Sequence, residues 1–199
     1  MKRILLFAGL AFCLSIPSFM MAQTDYTNDH VEVGVFADYM RLSQPNPAIN
    51  FIGIGGRAAV NVHPNVQLEA EMSYDFKRNF TNSFNNGLVT SFQTTRVRPL
   101  TGLFGPKFQA GTSGPFRAFI TGKLGFVNFG TSNTLNGTAF TNQVSSITQG
   151  GTQFALYPGG GIEAFAGPIG IRLEVGDEIY FDNGARNNLK VTLGPQFRF

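Results

Sequence analysis

The final twelve residues, 188–199, constrain the fold most, because apolar and polar side chains alternate along them without a break. One set of alternate positions holds Leu189, Val191, Leu193, Pro195, Phe197 and Phe199, and the other holds Asn188, Lys190, Thr192, Gly194, Gln196 and Arg198. Successive side chains of a β-strand point to opposite faces of its sheet. The pattern therefore predicts a strand that separates an apolar medium from a polar one.

Seven further segments show the same alternation, and 66–77 shows it most clearly. There Val66, Leu68, Ala70, Met72, Tyr74 and Phe76 alternate with Gln67, Glu69, Glu71, Ser73, Asp75 and Lys77. The other segments are 30–41, 51–62, 90–110, 115–129, 151–166 and 168–181. Alternation of this length favours a strand over a helix. All eight segments reach the roughly 9–11 residues that a membrane-crossing strand needs, whereas strands of soluble sheets usually have about 5–6.

The connections between these segments alternate in length. Tight turns at 63–65, 111–114 and 167 separate the longer gaps at 42–50, 78–89, 130–150 and 182–187. Short turns at one end and long loops at the other are typical of outer-membrane β-barrels. The sequence therefore predicts an all-β fold, an eight-stranded antiparallel up-and-down transmembrane β-barrel. Such a barrel lies in the outer membrane, with both termini on the periplasmic side.

The first 22 residues have the pattern of a secretory signal peptide, with Lys2 and Arg3 before the apolar run 4–14. We expect cleavage after Ala22, which leaves 23–199 as one β-barrel domain. Cys13 leaves with the signal, and Phe12 before it argues against lipid attachment there. Removing Lys2 and Arg3 lowers the basic count from 15 to 13, against 12 acidic residues. A net charge of +1 does not indicate a nucleic-acid partner.

Four short motifs stand in order at barrel-like spacing. They are FGPKF at 104–108, GGGIE at 159–163, IRLE at 171–174 and the terminal FRF at 197–199. With them the chain resembles the OmpA-like eight-stranded outer-membrane β-barrels over essentially all of 23–199. The resemblance implies a structural, adhesive or surface-interaction role, and it implies that Phe197 and Phe199 form the signal read by the barrel-assembly machinery. The peptidoglycan-binding domain that follows many such barrels is not found, so we do not expect cell-wall anchoring.

The polar face of the predicted strands is rich in charge of both signs. Its members are Glu32, Arg57, Glu69, Glu71, Lys107, Arg117, Lys123, Glu163, Arg172, Glu174 and Lys190, with Asp38, Lys77 and Arg198 on the same face. In a barrel of eight strands such side chains fill the interior. We expect a structural network of ion pairs, since single buried charges are costly. A proton or ion path through that network is the alternative, which makes a narrow solute or ion pore the second hypothesis.

Catalytic and cofactor chemistry finds little support in the sequence. Both histidines, His30 and His63, map to the periplasmic ends without a matched serine and carboxylate, so a lipid-modifying enzyme is only the third hypothesis. We expect no enzyme activity, no cofactor and no metal site, and we interpret Asp177 and Glu178 as a solvated rim pair. The glycines at 53–56 and 159–161 lie within strands, where no helix follows to bind phosphate.

The loop end of the barrel holds the candidate contacts with partners. Arg41, Arg78, Arg96 and Arg98 map to that rim, and the outward parity of Leu100 and Phe104 also carries Arg96 and Arg98 outward. We expect these two arginines to contact lipopolysaccharide phosphates; a bulge that turns them inward is the competing account. Loops 78–89 and 130–150 are the candidates for an extracellular ligand. A soluble lipocalin-like barrel, with its apolar face inside, is the alternative to an outer wall in contact with lipid.

Overall fold

Strands form at each segment whose side chains alternate. The structure, a computed structural model, describes residues 30–43, 48–85, 90–133 and 151–199, so the predicted signal peptide lies outside it. Its strands are β1 (Val31–Leu42), β2 (Ile49–His63), β3 (Val66–Asp75), β4 (Arg78–Asn85), β5 (Thr90–Ala110), β6 (Phe116–Asn133), β7 (Gly151–Ala166), β8 (Ile169–Asp177), β9 (Ile179–Phe181), β10 (Ala185–Arg186) and β11 (Asn188–Arg198).

Eight of the strands form the wall of a closed barrel, in which each wall strand pairs with two neighbours. The wall strands follow the order β1, β2, β3, β5, β6, β7, β8 and β11, and all of these pairings are antiparallel. Pairing of β1 with β11, from Glu32↔Arg198 to Leu42↔Asn188, completes the ring. Closure leaves these walls without a free edge. The predicted eight-stranded antiparallel up-and-down barrel is confirmed.

No helix in the described ranges is long and apolar enough to cross a membrane.

The outer surface of the wall is apolar and the inner surface is polar. Outward side chains that stay roughly half exposed include Ile52, Ile54, Met72, Phe104, Leu124, Ile162, Ile171, Leu193 and Phe197. Leaving one such side chain in water forgoes about 1.5–3 kcal/mol of burial. A soluble barrel would put its apolar face inside, so the lipocalin-like alternative is wrong, and the distribution is that of a wall that faces lipid.

The predicted loop 78–89 is a strand over most of its length. Residues 78–85 form β4, which pairs with the first part of β5 from Arg78↔Val97 to Asn85↔Thr90. On the other side of β5, β6 continues to Asn133, opposite Thr95. The asparagine and serine content of β4 suggests a loop, yet the edge of the long β5 supplies backbone partners. Composition alone therefore misassigned this segment.

Close approach of β5 and β6 depends on inward-pointing glycines on both strands, Gly105 and Gly125, of which Gly125 is the more crowded. A Cβ atom added to Gly125 would lie 1.9 Å from the carbonyl oxygen of Gly102 and 2.9 Å from Cα of Leu103. Gly122, three residues earlier on the same strand, faces outward and would meet no described atom within 4 Å. The two positions thus form a matched pair, one crowded and one open.

We expect Gly125→Ala to lower the free energy of unfolding by about 1–3 kcal/mol, because the methyl group must push β5 and β6 apart. The midpoint of urea unfolding, followed by the electrophoretic mobility of unheated protein, measures this. Gly122→Ala is the control and should leave the midpoint unchanged or slightly raised. Equal effects at the two positions would contradict the close-approach argument.

Candidate functional site

The sequence predicts fourteen charged side chains on the inner face. The eleven that are expected to form the ion-pair network lie inside, with 0–8% of their surface exposed, whereas Arg198 is only partly buried. They come from alternate positions on the walls, because each wall turns every second side chain inward. Asp38 lies with them, also buried. The structure groups these side chains into three layers along the barrel axis, which the sequence did not predict.

The lower charge layer lies nearest the termini and comprises Glu32, Lys107, Arg117 and Glu163. Lys107 Nζ is 2.6 Å from Glu163 Oε1 and 3.2 Å from Glu32 Oε2, and Arg117 Nη1 is 3.1 Å from Glu32 Oε1. The Lys107 ammonium also lies 5.2 Å from the centre of the Phe119 ring. Two cations therefore face two carboxylates, and the layer is balanced in charge.

The middle charge layer comprises Arg57, Glu69, Glu71, Lys123, Arg172 and Glu174. Lys123 Nζ contacts Glu69 and Glu71 at 2.6 Å each and Glu174 at 2.9 Å. Arg172 binds Glu69 with two guanidinium nitrogens and also contacts Glu174. Arg57 Nη1 is 2.9 Å from Glu174 Oε2. Three cations face three carboxylates, and this layer is balanced too.

The carboxylates of the middle layer have the spacing of a metal site, but a lysine ammonium already lies among them. Ligand oxygens of Glu69, Glu71 and Glu174 lie within 4.8 Å of one another. The Lys123 ammonium contacts all three carboxylates, however, and so takes the position of a cation. The lysine charge supplies what an ion would supply, so we assign no metal here.

The upper charge layer surrounds Lys190 and contains Asp38, Asp75 and Glu178. Lys190 Nζ is 2.7 Å from Glu178 Oε2 and 3.3 Å from Asp38 Oδ2, and it donates to Ser73 Oγ at 3.0 Å. Thr101 Oγ1 donates to the other oxygen of Glu178 at 3.1 Å. The prediction of a solvated rim pair is wrong for Glu178, because the inward parity of Glu174 continues through position 178 to Tyr180.

An apolar plug fills the interior at the loop end, and its members Leu103 and Tyr157 reach the middle charge layer, where they pair in register with Glu71 and Lys123. Its buried members are Met40, Leu42, Ile49, Phe51, Val97, Leu103, Val127, Phe129, Ala155, Tyr157 and Tyr180. The rings of Phe129 and Tyr180 meet with their centres 5.0 Å apart. Sequence analysis missed the plug, although apolar residues on both faces of the strand ends were a usable signal.

The outer cationic groove lies on the opposite side of the wall, at the loop end. Lys77, Arg96, Arg98, Gly130 and Thr131 line a hollow of about 240 Å³. Arg98 Nη1 donates to Tyr74 Oη at 2.9 Å, and its guanidinium lies 5.1 Å from the centre of that ring. The groove gathers three cationic side chains on the outer face.

The register of β5 with β6 decides how the groove is lined. Pairing runs without a shift through Arg96↔Ser132 and Arg98↔Gly130, so the bulge considered as the competing account is absent from this described stretch. The assignment of Lys77 to the interior is wrong: β3 ends at Asp75, the alternation stops there, and Lys77 is exposed.

The remaining candidate residues lie apart from these clusters. His30 and His63 lie at the end of the barrel where the termini meet, and the imidazole of His63 accepts from the backbone of Asn65 at 3.4 Å. The carbonyl oxygen of Phe199 accepts from His30 and Val31 at 2.9 Å, while the Phe197 side chain faces outward. Most of the candidate loop 130–150 lies outside the described residues.

Comparison with known proteins matches the fold but not the sequence. No protein-family model and no curated protein matches the chain. The attachment invasion locus protein Ail of Yersinia pestis has a similar structure, with a TM-score of 0.52 at 12% sequence identity, covering 86% of this chain and 97% of Ail. Neisserial surface protein A gives a TM-score of 0.53 at 11% identity, with 85% and 97% of the two chains covered. The chain therefore has the fold of the small eight-stranded outer-membrane β-barrels.

Proposed function

We propose that the protein is an integral outer-membrane β-barrel with a structural or surface-interaction role and no enzymatic activity. The observation that carries the proposal is the pairing of an apolar outer wall with a filled, charged interior. A wall of this kind is stable where lipid surrounds it, and closure satisfies its backbone groups. With its apolar outer wall in lipid, the chain crosses the membrane as a multi-pass barrel, and we assign both termini to the periplasmic side and the longer connections to the outside.

The interior supports a structural role better than a conducting one. Ion pairs reach across the barrel between walls that are not neighbours: Arg172 of β8 with Glu69 of β3, and Arg57 of β2 with Glu174 of β8. The apolar plug lies above them, and ions cross apolar constrictions poorly. A narrow solute or ion pore is therefore the weaker candidate.

The exposed end of the barrel supports contact with an outside partner. The names of both structurally similar proteins refer to the cell surface: Ail is an attachment invasion locus protein, and the other is Neisserial surface protein A. Strand β4 and the first part of β5 extend the wall at that end, next to residues 86–89. We assign contact with an extracellular ligand to this extension and to 134–150, and assembly-machinery recognition to Phe197 and Phe199.

Lipopolysaccharide is the lipid partner that the outer cationic groove suits. Arginine binds phosphate oxygens with a planar pair of donors, and Lys77 adds a third charge beside Arg96 and Arg98. The three cations lie on the outer face at the loop end, which is where this proposal puts the headgroup phosphates of the outer leaflet. The groove thus orients the protein with its loop end outward.

The membrane proposal predicts that the protein fractionates with the outer membrane. It should migrate differently on electrophoresis in mild detergent before and after boiling, because a closed barrel resists unfolding. The same protein in planar bilayers should show no conductance steps. Recovery as a soluble periplasmic species without a mobility shift would refute the membrane assignment, and regular conductance steps would favour the pore.

The structural role of the middle charge layer predicts a large effect at Lys123. We expect Lys123→Met to lower the free energy of unfolding by about 3–5 kcal/mol, because it leaves a buried excess of carboxylates. Urea unfolding in detergent measures the change. Lys77→Met, the same substitution on the outer face, is the control and should shift stability by no more than about 0.5 kcal/mol. Similar values for both would contradict a structural role for the layer.

The groove proposal predicts that Arg96→Ala combined with Arg98→Ala weakens lipopolysaccharide binding roughly tenfold or more, since one charge-assisted hydrogen bond contributes about 1.5–3 kcal/mol. Binding of purified lipopolysaccharide to the detergent-solubilised barrel gives the affinity. Arg41→Ala, an exposed arginine of β1, is the control for loss of charge. Unchanged affinity in the double variant would remove the groove from the proposal.

A further inference from the structure

The three charge layers of the interior differ in balance. The lower layer holds two cations and two carboxylates, and the middle layer holds three of each. In the upper layer one ammonium, Lys190, faces the three carboxylates of Asp38, Asp75 and Glu178. With all three carboxylates ionised, this layer holds two more negative charges than positive ones.

The other lysines and arginines that the structure describes lie in the lower two layers, in the outer cationic groove or near the ends of the barrel. Residues 23–29, 44–47, 80–95 and 132–150 contain no lysine or arginine, so nothing outside the described side chains can supply the charge. Arg41 is exposed on the outer face, Arg78 is exposed and donates to the backbone carbonyl of Asn50, and Arg186 bonds to the backbone of Asp182 in the 182–187 turn. The lysines and arginines of the other layers are already engaged there.

Two of the carboxylates flank a position that has no side chain. Asp38, Gly53 and Asp75 form a row across β1, β2 and β3, through the register pairs Asp38↔Gly53 and Gly53↔Asp75. A Cβ atom on Gly53 would lie only 2.8 Å from Asp75 Oδ1, so the Asp75 carboxylate leans over the glycine. The row thus places Asp38 and Asp75 on the two sides of a position that has no side chain.

The carboxylate of Asp75 has no partner within the described protein. The Asp75 side chain is fully buried, and both its oxygens lack a hydrogen-bond donor. Neither oxygen of Asp38 accepts a hydrogen bond either, and its one ion pair, with Lys190, is 3.3 Å long. Buried carboxylates in proteins almost always have a partner, because an uncompensated one costs several kcal/mol.

Apolar groups enclose this row on both sides along the axis. The next inward-facing register pair toward the loops is Met40↔Phe51, and both side chains are fully buried. One step toward the termini, the ring of Phe36 covers Gly55, with its Cζ 2.3 Å from where a Cβ would be. Asp38 and Asp75 are themselves 1% and 0% exposed, so bulk water does not reach them in this structure.

We propose that Asp38 and Asp75 bind one divalent cation, Mg²⁺ or Ca²⁺, over Gly53 in the barrel interior. The two positive charges match the excess of the upper layer, and carboxylate oxygens are the ligands that these hard cations prefer. Mg²⁺ is commonly held by one or two carboxylates and completes its shell with water. The ion joins β1 to β3, and the enclosing apolar side chains slow its release. The site does not depend on the surface role proposed above.

The test is a count of bound metal. The barrel is folded in detergent with MgCl₂ or with CaCl₂, transferred to metal-free buffer, and analysed by elemental mass spectrometry. We expect one ion per wild-type barrel from one of the two salts, and the salt that supplies it identifies the ion. Asp75→Asn, which keeps the shape but removes a charge, should lose the ion. Asp177→Asn, which alters a carboxylate at the loop end bonded to Asn187, should retain it.

Thermal unfolding supplies an independent readout. Wild-type barrel folded with the retained metal should unfold at a higher temperature than barrel folded in EDTA, and Asp75→Asn should show no such difference. Asp38→Asn repeats both measurements if Asp75→Asn does not fold. A wild-type barrel without a stoichiometric ion from either salt, and with the same unfolding temperature in EDTA, would overturn the proposal and leave protons as the compensating charge.

Discussion

The structure depends on the rule that a charge inside a closed barrel must find its partner within the same barrel. Lipid surrounds the wall, and the interior of eight strands is narrow, so water reaches few of these groups. Lys123 shows the consequence most clearly: one ammonium of β6 binds carboxylates from β3 and β8. Ion pairs across the barrel axis thereby stabilise the interior, as apolar packing stabilises the core of a soluble protein. Removing one partner is costly because the others cannot turn toward solvent.

The sequence predicts the walls and their faces well because a strand has a period of two. The side chain at position 172 points inward whichever residue begins the strand, so its burial follows from the side-chain period of two alone. Partners across the barrel do not follow, since Arg172 meets Glu69 only through the stagger of non-adjacent walls. Errors fell where the alternation stops, at Lys77, or where polar composition hid an extension, at 78–85. Glu178 lies close to the loop end of its strand, which predicts a solvated side chain, but it follows the inward alternation of the strand and is buried.

Similarity of fold without similarity of sequence has the same physical origin. Ail shares 12% of its residues with this chain, yet the two structures correspond over 86% of it. A barrel of this size demands an apolar outer face, inward residues that fit together, and glycines where the backbones approach, as at Gly125. Many sequences meet those demands. Those demands do not fix which inward residues carry charge, so the ion pairs around Lys190 do not follow from the fold.

The apolar plug separates two parts of the molecule that would otherwise share one electrostatic environment. Met40, Phe51, Phe129 and Tyr180 lie between the loop end and most of the ion pairs, so apolar side chains separate the loops from the charged interior. The loops and the charged interior can therefore vary in sequence separately. A barrel built this way is a scaffold whose exposed end can be replaced without redesigning its interior.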